Sequence, residues 1–315
     1  MKYDLVCEGG GIRGIGLVGA IDGIEQRGYT PSHLAGTSAG AIVASLRAAG
    51  YTPQELKEVM FTTDFNKFKD GNGWGRKIYN IVRYRGIYKG DYFYNYIKEL
   101  LADKGVVYFG DLASLEEKDQ RHFIYRWLFK CFTADVTRRR LITFPDDSAI
   151  YGIDPDYMEV ALAVRASMSI PAVFQPVTHK RDVLVDGGIL SNYPISSWDS
   201  PLVPDWPTFG ILLEESKHQR KFEPIGPWPH DYFIALFDTM MKAHDKRNIK
   251  PGDFKYRTIV VPCGAVSATD FDLDLEEKNV LYNKGVAAAR DFLQAWSWSD
   301  YQRWAREVRG LNGQG

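Results

Sequence analysis

Tyr3-Asp4-Leu5-Val6-Cys7-Glu8-Gly9-Gly10-Gly11-Ile12-Arg13-Gly14 passes from a short apolar run through three consecutive glycines into a stretch with apolar residues at helical spacing, Ile15, Val18, Ile21 and Ile24. Such a pattern predicts a buried strand, a tight turn and a helix. At a strand-to-helix turn, free backbone N–H groups and the positive end of the helix converge on negative charge. Three glycines remove every Cβ from the approach, so several main-chain donors can point at one oxygen, and Arg13 adds a positive charge nearby. The spacing Gly9-x-Gly11-x-x-Gly14 also satisfies a dinucleotide-binding pattern. The acidic ribose-binding residue which that pattern needs, about twenty residues on, is hard to place here. That region instead runs Pro31-Ser32-His33-Leu34-Ala35 into a second glycine-rich turn, Gly36-Thr37-Ser38-Ala39-Gly40.

In a Gly-x-Ser-x-Gly turn between strand and helix, the flanking glycines allow the serine a strained backbone, and its hydroxyl projects at the amino end of the following helix. Alone the pentapeptide is weak. Preceded by a loop built for an oxyanion, it describes an acyl-transfer site with Ser38 as nucleophile. A base is supplied at Asp186-Gly187-Gly188, which follows the apolar run Val183-Leu184-Val185 and so puts Asp186 at a strand end, where active-site loops gather. By itself Asp-Gly-Gly reads as an ordinary turn; beside the other two motifs it reads as chemistry.

The three motifs, in this order, resemble the patatin-like phospholipase family. The resemblance extends to Ala166-Ser167-Met168-Ser169-Ile170-Pro171-Ala172-Val173-Phe174-Gln175-Pro176 and to Asp186-Gly187-Gly188-Ile189-Leu190-Ser191-Asn192-Tyr193-Pro194, covering residues 3 to 195. It implies a three-layer α/β/α fold with a central, mostly parallel sheet, and a serine-aspartate dyad acting on acyl esters of lipids. Carried over, Ser38 is the nucleophile and Asp186 the base, Gly9, Gly10 and Gly11 form the oxyanion hole and Arg13 supports it. Glu8, where many family members carry Asp or another residue, receives no role.

A triad would need one of the six histidines. His33 stands too close to Ser38 in sequence to face it across the turn. His179, His218, His230 and His244 are not excluded by order, but none sits in a motif. A carboxylate can replace a histidine when burial raises its proton affinity toward working pH, and apolar Leu184 and Ile189 flank Asp186.

The 315 residues carry a formal charge of −1, which gives no global attraction to nucleic acid or anionic membrane; no nucleic-acid partner is expected. The chain is expected to form a single catalytic domain over 1–315, with a less recognisable part from 196. Cys7, Cys131 and Cys263 read as reduced core residues, and no metal or cofactor is implied by ligand spacing. With no leader before Tyr3 and no uninterrupted membrane span, a cytoplasmic protein with peripheral membrane contact is expected.

Alternating signals predict strands at 3–7, 32–36, 123–134, 140–144, 173–178, 182–186, 208–213 and 257–262. Helices are predicted at 14–27, 39–49, 53–62, 91–103, 156–167, 231–246 and 274–296. Between 65 and 90, Lys67, Phe68, Lys69, Trp74, Arg76, Lys77, Tyr79, Arg83, Tyr84, Arg85 and Tyr88 interleave basic and aromatic residues. This is the chemistry of a lid or membrane-docking surface, or of an irregular connection with aromatics packed on the core. Seven prolines between Tyr193 and His230 favour extended loops, either walling an acyl pocket or connecting around a strand. Trp296, Trp298, Tyr301 and Trp304 suit an interfacial helix or, better, one packed back on the domain.

The sequence therefore reads as a cofactor-independent lipid acyl hydrolase of the phospholipase A type. Its alternatives are a lysophospholipase or general carboxylesterase, and, from another class, a gated effector silent until bound by a partner or signal nucleotide. Oligomeric state is not legible.

Overall fold

The computed structural model describes residues 1–70, 80, 83–114, 123–200, 203–215, 225–226, 229–248, 251–268 and 272–308. The first strand, β1 (Lys2–Cys7), leads through the glycine turn into α1 (Gly14–Glu25), and β2 (Thr30–Thr37) leads through Ser38 into α2 (Ala39–Ala48). The helix α3 (Pro53–Thr62) starts at a capping box in which Thr52 and Glu55 satisfy each other's backbone donors. Short β3 (Gly86–Tyr88) and α4 (Asp91–Asp103) follow, then β4 (Phe129–Asp135), β5 (Arg140–Phe144) and α5 (Val160–Ser167). Next come β6 (Ala172–Phe174), β7 (Val177–His179), β8 (Asp182–Asp186), β9 (Thr208–Glu215), α6 (Pro229–Asn248), α7 (Pro251–Arg257) and β10 (Thr258–Gly264). The chain closes with α8 (Leu275–Ala295) and α9 (Trp298–Val308).

The central sheet runs β10-β9-β1-β2-β4-β8-β7, with β5 also on β4. Its first five strands are parallel, and β5, β7 and β8 form the antiparallel end. Alternation along β1 sorts its side chains: Leu5 and Cys7 join the large core with Ile15, Ile21, Phe209, Val261 and Leu281, while Val6 joins Ala35 and Phe132 on the opposite face. Helices α1, α2, α5 and α8 belong to the large core. The other face is covered by the extended segment carrying Tyr193, Ile195 and Trp198. The proline-rich stretch thus begins as a sheet cover, which is why it needs no helix. α1 and α8 meet backbone to backbone: a Cβ on Gly19 would lie 2.0 Å from Tyr282 O, and one on Gly285 2.2 Å from Gly16 O.

Several expected boundaries move. Over 123–134 the chain makes a 3-10 turn at Phe123–Tyr125 before β4 begins. The single strand expected at 173–178 is two, because Gln175-Pro176 interrupts it and β6 pairs with β3 in a separate two-stranded sheet while β7 pairs with β8. α5 begins at Val160, after a separate turn at Pro155–Tyr157. α7 was not foreseen. α9 packs back on the protein, with Tyr301 fully buried and Trp304 stacked on Tyr256 at 5.5 Å. Of the basic-aromatic stretch, Trp74, Arg76, Lys77 and Tyr79 lie outside the described residues; Phe68 is buried, and Arg83, Tyr84 and Arg85 are exposed.

Candidate active site

Ser38 adopts φ 53°, ψ −126°, a conformation rare outside glycine. The flanking glycines make the turn sterically feasible. A Cβ on Gly36 would lie 2.3 Å from the Gly40 carbonyl, and one on Gly40 2.3 Å from Cys7 O, so β2 folds onto the first turn of α2 only with bare backbone at both positions. The Ser38 N–H donates to Ser167 Oγ at 2.9 Å, and Ser167 donates onward to Phe132 O at 2.6 Å. The Ser38 turn is thereby tied to α5 and β4.

The topology explains how Asp186 reaches Ser38. Along one edge of β4, Thr37 of β2 stands opposite Phe132, and Asp186 of β8 stands opposite the next residue, Thr133. β5 runs along the opposite edge from Cys131 to Asp135. β2 is parallel to β4 and β8 antiparallel, so their carboxyl ends meet end to end on the same edge. The residue after Thr37 and the last residue of β8 are Ser38 and Asp186, buried with exposures of 4% and 0%.

Burial pushes the Asp186 carboxyl up to about 7, against the opposing hydrogen bonds of Gly188 N–H and the Ser38 hydroxyl. Gly188 N donates to Oδ1 at 2.7 Å. The other oxygen, Oδ2, has no well-aligned partner among the described residues. The Ser38 hydroxyl is near enough to Asp186 to bias its titration, yet its best-aligned acceptor in this state is Met168 Sδ at 3.4 Å. Oδ2 is thus the Asp186 oxygen left to accept a proton.

In the glycine loop, the Gly9 N–H already donates to Asn192 O at 3.1 Å. Among the described residues, the amides of Gly10 and Gly11 have no acceptor, so these two are the donors left for an oxyanion. Gly11 needs φ +57°, and a Cβ there would strike Ala268 O at 1.9 Å. Arg13 is buried and donates from Nε to Gly10 O at 3.2 Å, while its Nη1 pairs with Glu215 at 3.0 Å. In a planar trans peptide the carbonyl of Gly10 and the N–H of Gly11 point in opposite directions. By holding one, Arg13 aims the other.

Reading the residues in sequence missed three supports. Glu8 accepts from Leu213 N and from Asn192 Nδ2 (3.1 Å), joining β1, β9 and the Asn192 loop. Ser167 holds the elbow, and Met168 holds the hydroxyl. All three residues stand in the quoted motifs, but the motifs are silent about partners. His33 pairs with Asp4 at 2.9 Å and His179 with Tyr151 O at 3.1 Å, each away from Ser38; the side chains of His122, His218, His230 and His244 lie outside the described residues. All three cysteines are buried and unpaired. Among the described residues no group of His, Cys, Asp and Glu is placed to hold a metal, and no helix is long and apolar enough to cross a membrane.

Residues 5–198 match the sequence profile of the patatin-like phospholipases. The chain is 35% identical over 311 residues to YqhO of Bacillus subtilis (strain 168), covering 95% of this chain and 100% of that one. It is 24% identical over 297 residues to the probable lipid hydrolase 463L of Invertebrate iridescent virus 6, covering 90% and 87%. Among solved structures, VipD from Legionella pneumophila shares the fold with a TM-score of 0.59 at 19% identity, over 93% of this chain and 67% of that chain.

Proposed function

This chain belongs to the patatin-like phospholipase family, and from that premise we propose that it is a serine-aspartate dyad carboxylic ester hydrolase releasing fatty acids from phospholipids. Lipid hydrolysis is the family's trait; the dyad and the phospholipase A type of cleavage are our reading. The observation that carries it is the end-to-end meeting of β2 and β8 on β4, which sets a strained serine beside a buried carboxylate pushed up to about 7. Ser38 Oγ attacks the ester carbonyl while Asp186 Oδ2 takes its proton, and the amides of Gly10 and Gly11 meet the oxyanion. The proton then passes to the leaving alcohol. In the second half, Asp186 takes a proton from water, which attacks the acyl-serine, and returns it to Ser38 Oγ as the acyl–serine bond breaks and the fatty acid leaves. We read residues 1–315 as one catalytic domain because α8, far outside the motif region, packs on α1 in the same core.

One observation favours gating as a second reading: Ser38 and Asp186 are buried, and the resting hydroxyl is held by Met168. The experiment is fatty-acid release from phospholipid vesicles by the wild type, Ser38→Ala and Asp186→Asn, with mass spectra of the products. Release lost in both variants is expected, and the spectra report which ester is cut. A fully active Asp186→Asn would sink the dyad. A folded but silent wild type that becomes active with cell extract would favour the gated reading.

A further inference from the structure

We propose that the outer face of α6, together with the adjoining Arg83–Lys89 segment, is the surface by which the protein docks on anionic phospholipid bilayers, an inference that rests on the lipid hydrolysis proposed above. The inner face of α6 buries Phe237 and Met241, and a Cβ on Gly188, in the Asp186 turn, would come within 3.0 Å of Met241 Sδ. The helix therefore sits on the catalytic turn. Its outer face carries Tyr232, Phe233 and Leu236, exposed by 56%, 46% and 42%. At about 100° per residue these three span about 100° of arc, while Asp231 and Asp238 fall outside it. A helix apolar on both faces is ordinarily covered on both, and among the described residues nothing covers this one.

What covers it is indicated by charge. α6 packs on β6, and β6 pairs with β3, so the residues around β3 belong to the same region. Arg83, Tyr84, Arg85 and Lys89 are exposed there, with the Arg83 guanidinium 5.5 Å from the Tyr84 ring centroid. The three basic side chains make no ion pair among the described residues. On a chain whose formal charge is −1, this is a local cationic rim beside an aromatic and aliphatic face. Apolar and aromatic groups enter the headgroup boundary, and cations pair with anionic lipids. The loop carrying the rim is anchored: Asp70 accepts from Gly90 N at 2.7 Å, and Arg165 donates to Gly90 O at 3.0 Å. A bilayer seated on this surface lies against the helix that covers Asp186.

The test is sedimentation with phosphatidylglycerol–phosphatidylcholine vesicles and with pure phosphatidylcholine vesicles. It compares the full-length wild type, the triple variant Tyr232→Ser/Phe233→Ser/Leu236→Ser, and Arg83→Glu/Arg85→Glu. Both variants are expected to lose about tenfold or more of the partition to anionic vesicles, while melting temperature and hydrolysis of a short-chain, water-soluble ester stay at wild-type level. Undiminished vesicle binding by the folded triple variant overturns the proposal. So does a wild-type dimer that the triple substitution dissociates without vesicle binding, which would give the face to a second copy. Because binding is read without turnover, a wild type that binds anionic vesicles through these residues yet hydrolyses neither lipid nor soluble ester supports the docking surface and overturns the hydrolase reading.

Discussion

Ser38 holds a positive φ with no glycine's freedom to relax it. Strain of this kind costs on the order of 1–3 kcal/mol and persists because the surrounding contacts overdetermine it. Ser38→Gly is therefore expected to unfold at higher urea than Ser38→Ala, by about 1–2 kcal/mol, with both variants inactive. Equal midpoints would mean that the elbow stores nothing. At Asp186 the folded-state pKa lies above the unfolded value, so between about pH 4 and 7 the native state holds a proton that the unfolded chain has lost. Stability contributed by the neutral acid is present at low pH and is lost as pH rises through 7, by up to about 4 kcal/mol. Asp186→Asn should abolish that slope, which urea unfolding at pH 5 and pH 8 would measure. Under the proposed mechanism activity runs the opposite way: a base works ionised, so kcat/KM should rise with pH through about 7. For Arg13→Lys, which keeps the charge but not the Nε reaching Gly10 O, we expect kcat to fall on the order of tenfold to a hundredfold with KM little changed. A fall in KM-dependent binding alone would deny Arg13 its aiming of the Gly11 amide.

Helices and strands were legible where period and punctuation agreed. α1, α2, α3 and α4 stand close to the predicted 14–27, 39–49, 53–62 and 91–103. The failures have local causes: Pro176 splits an apolar run, Pro155 detaches the start of α5, and the aromatic Phe123–Tyr125 looks like strand while making a turn. What periodicity does not report is how closely two elements approach. α1 reads as an ordinary amphipathic helix, yet its glycines admit α8 at backbone contact. Gly19→Ala should force the helices apart and destabilise the protein by about 1–3 kcal/mol, seen as a lower urea midpoint. A neutral substitution would show that α8 can shift without loss.

Across the molecule, Arg165 binds parts distant in sequence. Its guanidinium donates to the carbonyls of Lys89, Gly90 and Gln175 and to Ser169 Oγ, and Ser169 O accepts the Asp186 N–H at 2.9 Å. The β3–β6 pair, α5 and Asp186 are thus linked through one buried side chain. Arg165→Met would leave three carbonyls without that donor and should cost about 3–5 kcal/mol. Faster tryptic cleavage around Arg83 and Arg85 at equal temperature would accompany it. Unchanged protection there would mean that the β3 segment is held by its strand pairing alone.

The residues by themselves determined the family, the strained serine turn, the glycine loop and the candidate base, because each depends on local backbone demands that only glycine, serine or aspartate in that order meets. They determined the parallel strand-helix alternation for the same reason: a period is a local property. Tertiary structure alone decided that β2 and β8 share one edge of β4, that Gly9 spends its amide on Asn192 while Gly10 and Gly11 keep theirs, and that Met168 holds the resting hydroxyl. It also decided that α6 carries apolar residues outward above the Asp186 turn. These depend on which distant backbone satisfies which donor, and on what is left uncovered when the sheet closes, and neither is written in the spacing of any one segment.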